Sequence, residues 1–408
     1  MNFEQALETA DRLARPDAPG LPADQSWWPQ SLAHGVLGIA LLHAEVGAAG
    51  LRPLQRVHDW LTAAARRPVT TGASTGLFYG APAAGFALSS AAAVHPGAYR
   101  RALASLDARI AADARRRVKA ARDRITAGRL PVLAEFDTIR GLAGIGAHLL
   151  RRDPQGEAVR AVLEYLVALT DPLTDDGRQV PGWWTLIGPT GHPDEEFPGG
   201  HGNAGLAHGI GGPLALLALA TLRGVAVPGQ RDAIDAICAW LDFWRTDTGT
   251  GPLWPYLVRR SEHDTGSPRP RRSGTVRRPS WCYGTAGAAR VQQLAALATG
   301  DAERRRIAED ALVRALADPA QRAATTDASL CHGYAGLAHI AARAAADADK
   351  PAAARLRQLA PELLDAAQPA QTEGLGVLEG AAGAALAALA QTTSLPPATG
   401  WDACLLIA

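Results

Sequence analysis

The chain has 408 residues, 20% of them charged, and a formal net charge of +1, so no global field attracts nucleic acid and we expect no nucleic-acid partner. No stretch approaches about 18 apolar residues free of charge, and residues 1–20 lack the basic-then-apolar order of a signal peptide. We therefore expect a cytoplasmic protein without a transmembrane segment. Four cysteines in so long a chain argue against a disulfide framework and favour metal or redox use.

A small-residue pattern recurs along the chain, in which a glycine opens an apolar helix. Neighbouring copies lie 47 to 75 residues apart, and the shortest spacings of 47 to 49 residues define a basic unit. These helices are apolar almost all round, which predicts that they are buried. The seven anchor glycines are Gly38, Gly85, Gly144, Gly212, Gly287, Gly336 and Gly383.

Amphipathic helices are predicted between the anchors, and one precedes the first anchor. They cover residues 3–13, 54–67, 98–125, 156–170, 230–244, 302–317 and 352–367. No run with the period of a β-strand is found anywhere. Seven buried inner helices alternating with seven amphipathic outer helices predict an all-α fold, a closed α/α toroid or double-layered barrel. An open solenoid would need polar caps, and the final unit is apolar.

We expect one toroid domain over residues 1–408, with insertions near 97–126, 173–203 and 255–280. The first insertion holds a basic helix from Arg100 to Arg124, read either as a recruitment surface for an acidic partner or as a solvated face. The second is rich in Gly and Pro and is predicted to be a loop. The third contains an arginine-rich stretch from Arg269 to Arg278.

Three residues have the character of ligands for one metal ion. Cys331 and His332 are adjacent, and side chains at successive positions do not share a helix face, so both reach one ion only from a helix entrance or loop. Cys282 likewise precedes a glycine and an Ala-rich helix. Two cysteines and one histidine suit Zn²⁺, and three protein ligands are typical of a catalytic zinc that keeps one position for water or substrate.

Equal offsets from the anchors bring further polar residues to the same end of the predicted barrel. His208 precedes its anchor by four residues, as His332 does, and Asp137 precedes its anchor by seven. His208 is a candidate acid or base, because an ordinary histidine pKa near ~6.5 suits proton transfer. Asp137 reads equally well as an ordinary helix N-cap.

Other residues have competing interpretations. Tyr283 and Arg278 lie close to Cys282 and supply either hydrogen bonds or packing and surface charge. His34 has the same offset as His208 and is expected to line the same cavity. Four residues are predicted to be structural, namely Trp183, Trp184, Cys238 and Cys404.

The sequence resembles the lanthionine synthetase C-like family, the lanthipeptide cyclases. The resemblance spans essentially the whole chain and is carried by residues 181–183, 202–213, 281–284, 331–333 and 400–402. It implies a similar toroid of two layers of seven helices. The basic helix and the arginine-rich stretch are where this chain departs most from what the family describes.

The resemblance also implies roles for individual residues. One Zn²⁺ per chain is held by Cys282, Cys331 and His332. The acid/base histidine matches His208 and its aspartate matches Asp137. An arginine and a tyrosine of the family's site match Arg278 and Tyr283.

The implied reaction is the addition of a precursor-peptide cysteine thiol to dehydroalanine or dehydrobutyrine, which closes a lanthionine or methyllanthionine ring. The implied partners are a dehydrated precursor peptide, with leader and core, and a separate dehydratase, because 408 residues leave no room for a dehydratase domain beside seven repeats. An export transporter is a further candidate, and through partners the protein would sit on the inner face of the membrane.

Three other functions compete with this one. A protein prenyltransferase subunit also combines a toroid with a thiol-activating zinc, but adjacent Cys331 and His332 are not its ligand pattern. A member of the family that adds glutathione to dehydrated residues would use the same zinc chemistry. A non-catalytic scaffold for a dehydratase and transporter complex would be signalled by a lost ligand, and none is lost.

Overall fold

The computed structural model describes residues 1–188, 190–249, 251–267, 276–368, 374–393 and 395–408. The chain divides into two compact units. The first consists of Met1–Ile110 and Thr325–Leu406 with Ala408, and the second of Ala111–Ala324 with Ile407. No helix among the described residues combines the length and the apolarity needed to cross a membrane.

Seven helices of the described chain are buried on nearly every side, as predicted from their Ala, Gly and Leu content. They are α2 (Val36–Ala48), α4 (Ala81–Val94), α7 (Leu142–Arg152), α9 (Gly211–Leu222), α12 (Thr285–Thr299), α15 (Tyr334–Asp347) and α17 (Ala381–Thr392). A helix that is apolar all round is stable only in a core, and small side chains let neighbouring helices approach closely. These are the inner helices.

Seven further helices of the described residues carry charge on one side and bury the other. They are α1 (Phe3–Arg12), α3 (Gln55–Ala64), α5 (Arg100–Thr126), α8 (Glu157–Ala168), α10 (Gln230–Trp244), α13 (Ala302–Ala317) and α16 (Lys350–Ala366). The bounds of α10 and α13 and the start of α1 match the sequence prediction, and the other ends differ by one to three residues. Helix ends fray and depend on the capping residues, so they are harder to predict than the apolar period of the helix interior.

Each unit packs its inner helices against one another and against outer helices. In the first unit α2 contacts α3, α4 and α17, and α15 contacts α16 and α17. In the second unit α9 contacts α7 and α12, while α8 and α13 cover α7 and α12 respectively. The alternation of inner and outer helices expected from the sequence is therefore present in both units.

The sequence shows no run with the period of a β-strand, and the strands that the described residues contain are all short. Six three-residue strands pair into three antiparallel pieces: β1 (Leu173–Asp175) with β2 (Arg178–Val180), β3 (His201–Asn203) with β6 (Leu257–Arg259), and β4 (Thr246–Thr248) with β5 (Gly251–Leu253). Four of them lie within the second and third predicted insertions, and β4 and β5 lie just before the third. Three residues are too few to show a two-residue period, so these strands leave no periodic signal in the sequence. Three short α-helices, namely α6 (Leu133–Phe136), α11 (Arg260–Thr265) and α14 (Pro319–Ala323), and two 3₁₀-helices, Trp28–Gln30 and Trp401–Leu405, complete the described elements.

The anchor glycines mark places where a loop packs directly onto a helix. A Cβ atom at Gly383 would lie 1.8 Å from the carbonyl oxygen of Val377, and one at Gly287 would lie 2.1 Å from that of Trp281. In both cases the contacting carbonyl precedes the anchor by six residues. The anchor at Gly85 was misplaced, because the glycine that caps α4 is Gly80 and the third residue after it is Ala83.

The basic helix α5 is not a uniform surface. The Arg124 guanidinium lies 2.7 Å from the Glu135 carboxylate and also donates to the Arg129 carbonyl, with only 7% of its side chain exposed. Arg117 pairs with Asp113, and burial lowers its pKa. These two arginines hold the fold together, so neither the recruitment nor the solvated-face interpretation applies to them. Most of the arginine-rich stretch lies outside the described residues.

Candidate metal and acid–base site

The loop before α15 positions Cys331 and His332 through hydrogen bonds of its own backbone. The hydroxyl of Ser329 accepts a 3.2 Å bond from the His332 amide, and the Asp327 carboxylate accepts a 2.8 Å bond from the Ser329 amide. The Cys331 amide donates to the Leu378 carbonyl at 2.9 Å, which ties this loop to the one before α17. Both side chains are therefore presented from a helix entrance, as predicted.

Asp327 also contacts the histidine ring. Its Oδ2 lies 3.3 Å from Nε2 of His332, and the two side chains are 10% and 14% exposed. Metal-binding histidines usually give their second ring nitrogen to a carboxylate, which fixes the tautomer and the orientation of the ring. The contact at Nε2 therefore assigns Nδ1 of His332 as the nitrogen that would face a metal ion.

Cys282 occupies the corresponding loop before α12. The Ser280 hydroxyl lies 3.6 Å from Sγ of Cys282, donates to the Tyr283 carbonyl and accepts a 3.4 Å bond from the Tyr283 amide. The Cys282 carbonyl accepts a 3.0 Å bond from the Leu206 amide. Gly284 is required here because a Cβ atom would lie 2.4 Å from the Ser280 nitrogen.

Among the described residues, one group offers three metal-ligand atoms close together. The ligand atoms of Cys282, Cys331 and His332 all lie within 4.8 Å of one another, and the two thiols are buried. Tetrahedral zinc with two sulfurs and one nitrogen places these atoms about 3.6–3.8 Å apart, so the observed spread is within about 1 Å of that spacing. The donor set and its carboxylate support fit Zn²⁺.

A second pair, His208 and Asp137, forms a hydrogen-bonded dyad. Nδ1 of His208 lies 2.7 Å from Oδ2 of Asp137, whose side chain is 1% exposed. An ionised carboxylate only accepts, so Nδ1 of His208 carries the hydrogen and Nε2 is left to exchange a proton. The other carboxylate oxygen accepts 2.7 Å bonds from the amides of Arg140 and Gly141. The N-cap of α7 is Gly141, so Asp137 is not the predicted N-cap; it closes the turn before α7 and is also the partner of the histidine.

Tyr283 lies beside the dyad and is fixed by a residue that the sequence analysis did not single out. The amide nitrogen of Asn203 donates a 2.8 Å bond to the Tyr283 hydroxyl, while its amide oxygen accepts from the Gly205 amide. The Tyr283 and His208 rings are stacked with centroids 6.5 Å apart. A Cβ atom at Gly205 would lie 2.5 Å from the tyrosine ring, so this glycine makes room for it.

The remaining candidates are placed less directly. Arg278 is half-buried, four residues before Cys282, and its carbonyl accepts a 3.0 Å bond from the Tyr256 hydroxyl. Nδ1 of His34 lies 3.8 Å from the Glu379 carboxylate. The loops that carry His34 and Glu379 are joined by a 3.0 Å bond from the Leu378 amide to the Ala33 carbonyl.

The four residues predicted to be structural are all buried. Burial raises the pKa of the Cys238 thiol to about 12. Trp183 packs edge-on against Trp240, with ring centroids 5.4 Å apart.

A single loop geometry underlies these placements. Seven residues before the anchor, a side-chain oxygen accepts a bond from the amide three residues further on, in the pairs Ser31 with His34, Asp137 with Arg140, Ser280 with Tyr283 and Ser329 with His332. Side-chain oxygens of Ser and Asp commonly close turns in this way. Asp327 was missed, although an acidic residue shortly before a Cys-His pair is the available signal.

The comparisons with known proteins agree with this architecture. A family model for lanthionine synthetase C-like proteins matches residues 26–406. A solved structure named nisin cyclase matches with a TM-score of 0.77 and 22% sequence identity, and the match covers 94% of each chain. No curated protein matches the sequence. The structural likeness confirms the predicted all-α fold, the α/α toroid, and the family match over nearly the whole sequence shows that the chain belongs to the lanthionine synthetase C-like family.

Proposed function

We propose that this protein is a zinc-dependent lanthipeptide cyclase, which adds cysteine thiols of a dehydrated precursor peptide to dehydroalanine or dehydrobutyrine. The observation that carries the proposal is the group formed by Cys282, Cys331 and His332. Membership of the lanthionine synthetase C-like family and the likeness to a structure named nisin cyclase support the same activity.

Zinc held by these three residues would ionise a thiol whose pKa is near ~8.5 in water, so that it becomes nucleophilic at neutral pH. The thiolates of Cys282 and Cys331 would cancel the charge of the ion and the neutral His332 imidazole would add none, so that a substrate thiolate would stay electron-rich and nucleophilic. Asp327 holds the His332 ring in one orientation through the 3.3 Å contact at Nε2.

Proton transfer is assigned to the His208 and Asp137 dyad. The thiolate sulfur forms a bond to the β-carbon, and the electron pair of the double bond moves to the adjacent carbonyl as an enolate. Nε2 of His208 then delivers a proton to the α-carbon, while Asp137 stabilises the imidazolium through the 2.7 Å contact at Nδ1. The proton lost by the thiol balances the one that is delivered.

Stabilisation of the enolate oxygen is assigned to Tyr283 and Arg278. Because Asn203 already donates to the Tyr283 hydroxyl oxygen, the phenolic hydrogen serves as a donor in another direction. Arg278 supplies positive charge from the same segment as Cys282. Donors held in place before the reaction stabilise developing charge without a reorganisation cost.

The proposal extends to the chain's organisation and partners. One toroid domain spans residues 1–408, and a separate dehydratase supplies the dehydrated precursor. The protein works in the cytoplasm, with an export transporter as a further partner that would hold it at the inner face of the membrane. The family match over residues 26–406 supports the single domain.

The test uses a synthetic peptide that contains one dehydroalanine and one cysteine. The zinc-loaded protein should remove the alkylatable thiol without changing the peptide mass, because ring closure is an isomerisation. His208→Asn should keep its zinc and slow ring closure about 10²- to 10⁴-fold, whereas the matched variant His95→Asn, at an exposed position, should be unaffected.

Two outcomes would contradict the proposal. Thiol loss no faster than in buffer would exclude cyclase activity on this peptide class. The second outcome concerns the reaction in the presence of glutathione. If the main product is the peptide with one added glutathione rather than the closed ring, the activity is glutathione addition instead.

A further inference from the structure

The first unit contains a groove that the proposed chemistry does not use. It is a cavity of about 370 Å³ between α3, α4 and the beginning of α5. Its walls are mostly aliphatic, with Leu37, Leu61, Leu88 and Leu106 among the lining residues. A cavity of this size at the surface holds several apolar side chains of a ligand.

The groove is open to water along α5. Ala102, Ser105 and Arg109 line it and are exposed, as is His58 on α3. The α5 residues that line it run from Ala102 to Arg109, which corresponds to about 11 Å along the helix axis. A ligand in this groove would bury one face and leave the other in solvent.

The charge of the groove has one sign. Arg109 is the only charged side chain among the lining residues that the structure describes, and it has no ion-pair partner among them. Within the described part of the chain, no aspartate or glutamate lines the groove. An anionic group placed over the apolar floor would therefore find one cation and no repulsion.

Tyr99 adds a strained element at one end. Its φ of 60° lies in the left-handed region, which bulky residues adopt only when their surroundings impose it. The ring stacks on His58 with centroids 6.4 Å apart, and burial raises the pKa of the hydroxyl, which thus remains a neutral donor. Backbone strain of this kind often marks a binding site.

We propose that this groove binds an amphipathic peptide segment that buries apolar side chains between α3, α4 and α5 and pairs an acidic residue with Arg109. The inference rests on the proposed function in taking the segment to be part of the peptide substrate. An open groove about 11 Å long suits a short helix with anchors at every third or fourth residue. A lipid tail would need walls closed on all sides, and these are not.

The experiment pans a displayed library of random dodecapeptides on the full-length, zinc-loaded protein. Enriched peptides should combine Asp or Glu with Leu, Ile, Phe or Trp. The most enriched peptide, synthesised with a fluorescent label, should bind Ala102→Trp and Arg109→Glu at least about tenfold more weakly than the unaltered protein, by anisotropy.

Matched controls lie on the same helix. Ala108→Trp and Arg115→Glu make the same changes at exposed positions that do not line the groove, and both should bind within about twofold of the unaltered protein. Equal melting temperatures by circular dichroism would show that all four variants fold.

The proposal is overturned if enriched peptides lack acidic residues, or if they bind Ala102→Trp as tightly as the unaltered protein. A second result would also overturn it: no peptide is enriched, but dodecanoate binds to the unaltered protein and not to Arg109→Glu. The ligand of the groove would then be a fatty acid. Binding is measured without dehydrated substrate, so failure here is separate from failure of ring closure.

Discussion

Replacing Asp327 by Asn tests how much its carboxylate contributes to zinc affinity by orienting the His332 ring. The carboxylate contacts the Ser329 amide at 2.8 Å and Nε2 of His332 at 3.3 Å. The asparagine oxygen can keep the first contact, so the loop retains its shape. The second contact loses its negative charge, and with it the preference for a hydrogen on Nε2 that leaves Nδ1 free for a metal ion.

The expected effect follows from the burial of both side chains. Loss of a carboxylate behind a metal-binding histidine typically weakens metal binding about 10- to 100-fold, or roughly 1.4–2.7 kcal/mol. Because the two side chains are only 10% and 14% exposed, solvent screens little of this interaction. We therefore expect the zinc dissociation constant of Asp327→Asn to rise about 30-fold or more.

The assay is competition for zinc against a chromophoric chelator, at fixed pH and with the zinc-free melting temperature as a folding check. Ser329→Ala is the control, since it removes the bond to the His332 amide but leaves the ring contact in place. Its zinc affinity should change less than that of Asp327→Asn. An Asp327→Asn protein that binds zinc within twofold of the unaltered protein would refute the assignment of Nδ1 and of the orienting role.

Two further predictions concern groups around the site. Native zinc-free protein treated with iodoacetamide at pH 8 should be labelled at Cys282 and Cys331. Cys238 should stay unlabelled, because its buried thiol has a pKa of about 12. Peptide mapping that finds Cys238 labelled first would contradict this prediction. Asn203→Leu removes the donor to Tyr283 and leaves the Gly205 amide without its acceptor. Urea denaturation should therefore show a free energy of unfolding lower by about 1–3 kcal/mol, with zinc content unchanged. An unchanged unfolding midpoint would exclude the hydrogen bond.

Periodic features of the sequence predicted the fold well. Apolar helices repeated seven times leave few alternatives to an alternating arrangement of inner and outer layers. The repeat also predicted that Cys282, Cys331 and His332 lie at helix entrances, because they stand at similar offsets from their anchors. The failure at Gly85 has a local cause, since the second repeat uses Ala83 where the others use glycine.

Hydrogen-bonded pairs of residues that lie far apart in the chain could not be predicted from local sequence patterns. Asp137 lies 71 residues from His208, and Asn203 lies 80 residues from Tyr283. The local sequence does not distinguish a carboxylate that only accepts hydrogen bonds from nearby backbone amides from one that also bonds to a histidine far along the chain. The same limit applies to Arg117 and Arg124, whose buried partners turn two members of a basic run into structural residues.

The central claim is that one zinc ion is held by two thiols and an imidazole, and that ring closure depends on it. Metal content by plasma mass spectrometry, measured beside ring closure, tests this most directly for Cys331→Ala and Cys282→Ala. The control is Cys238→Ala, which removes a buried cysteine outside the ligand group. The account predicts one zinc per chain in the unaltered protein and in Cys238→Ala, and a parallel loss of zinc and ring closure in the other two. Stoichiometric zinc and full ring closure in Cys331→Ala would contradict it.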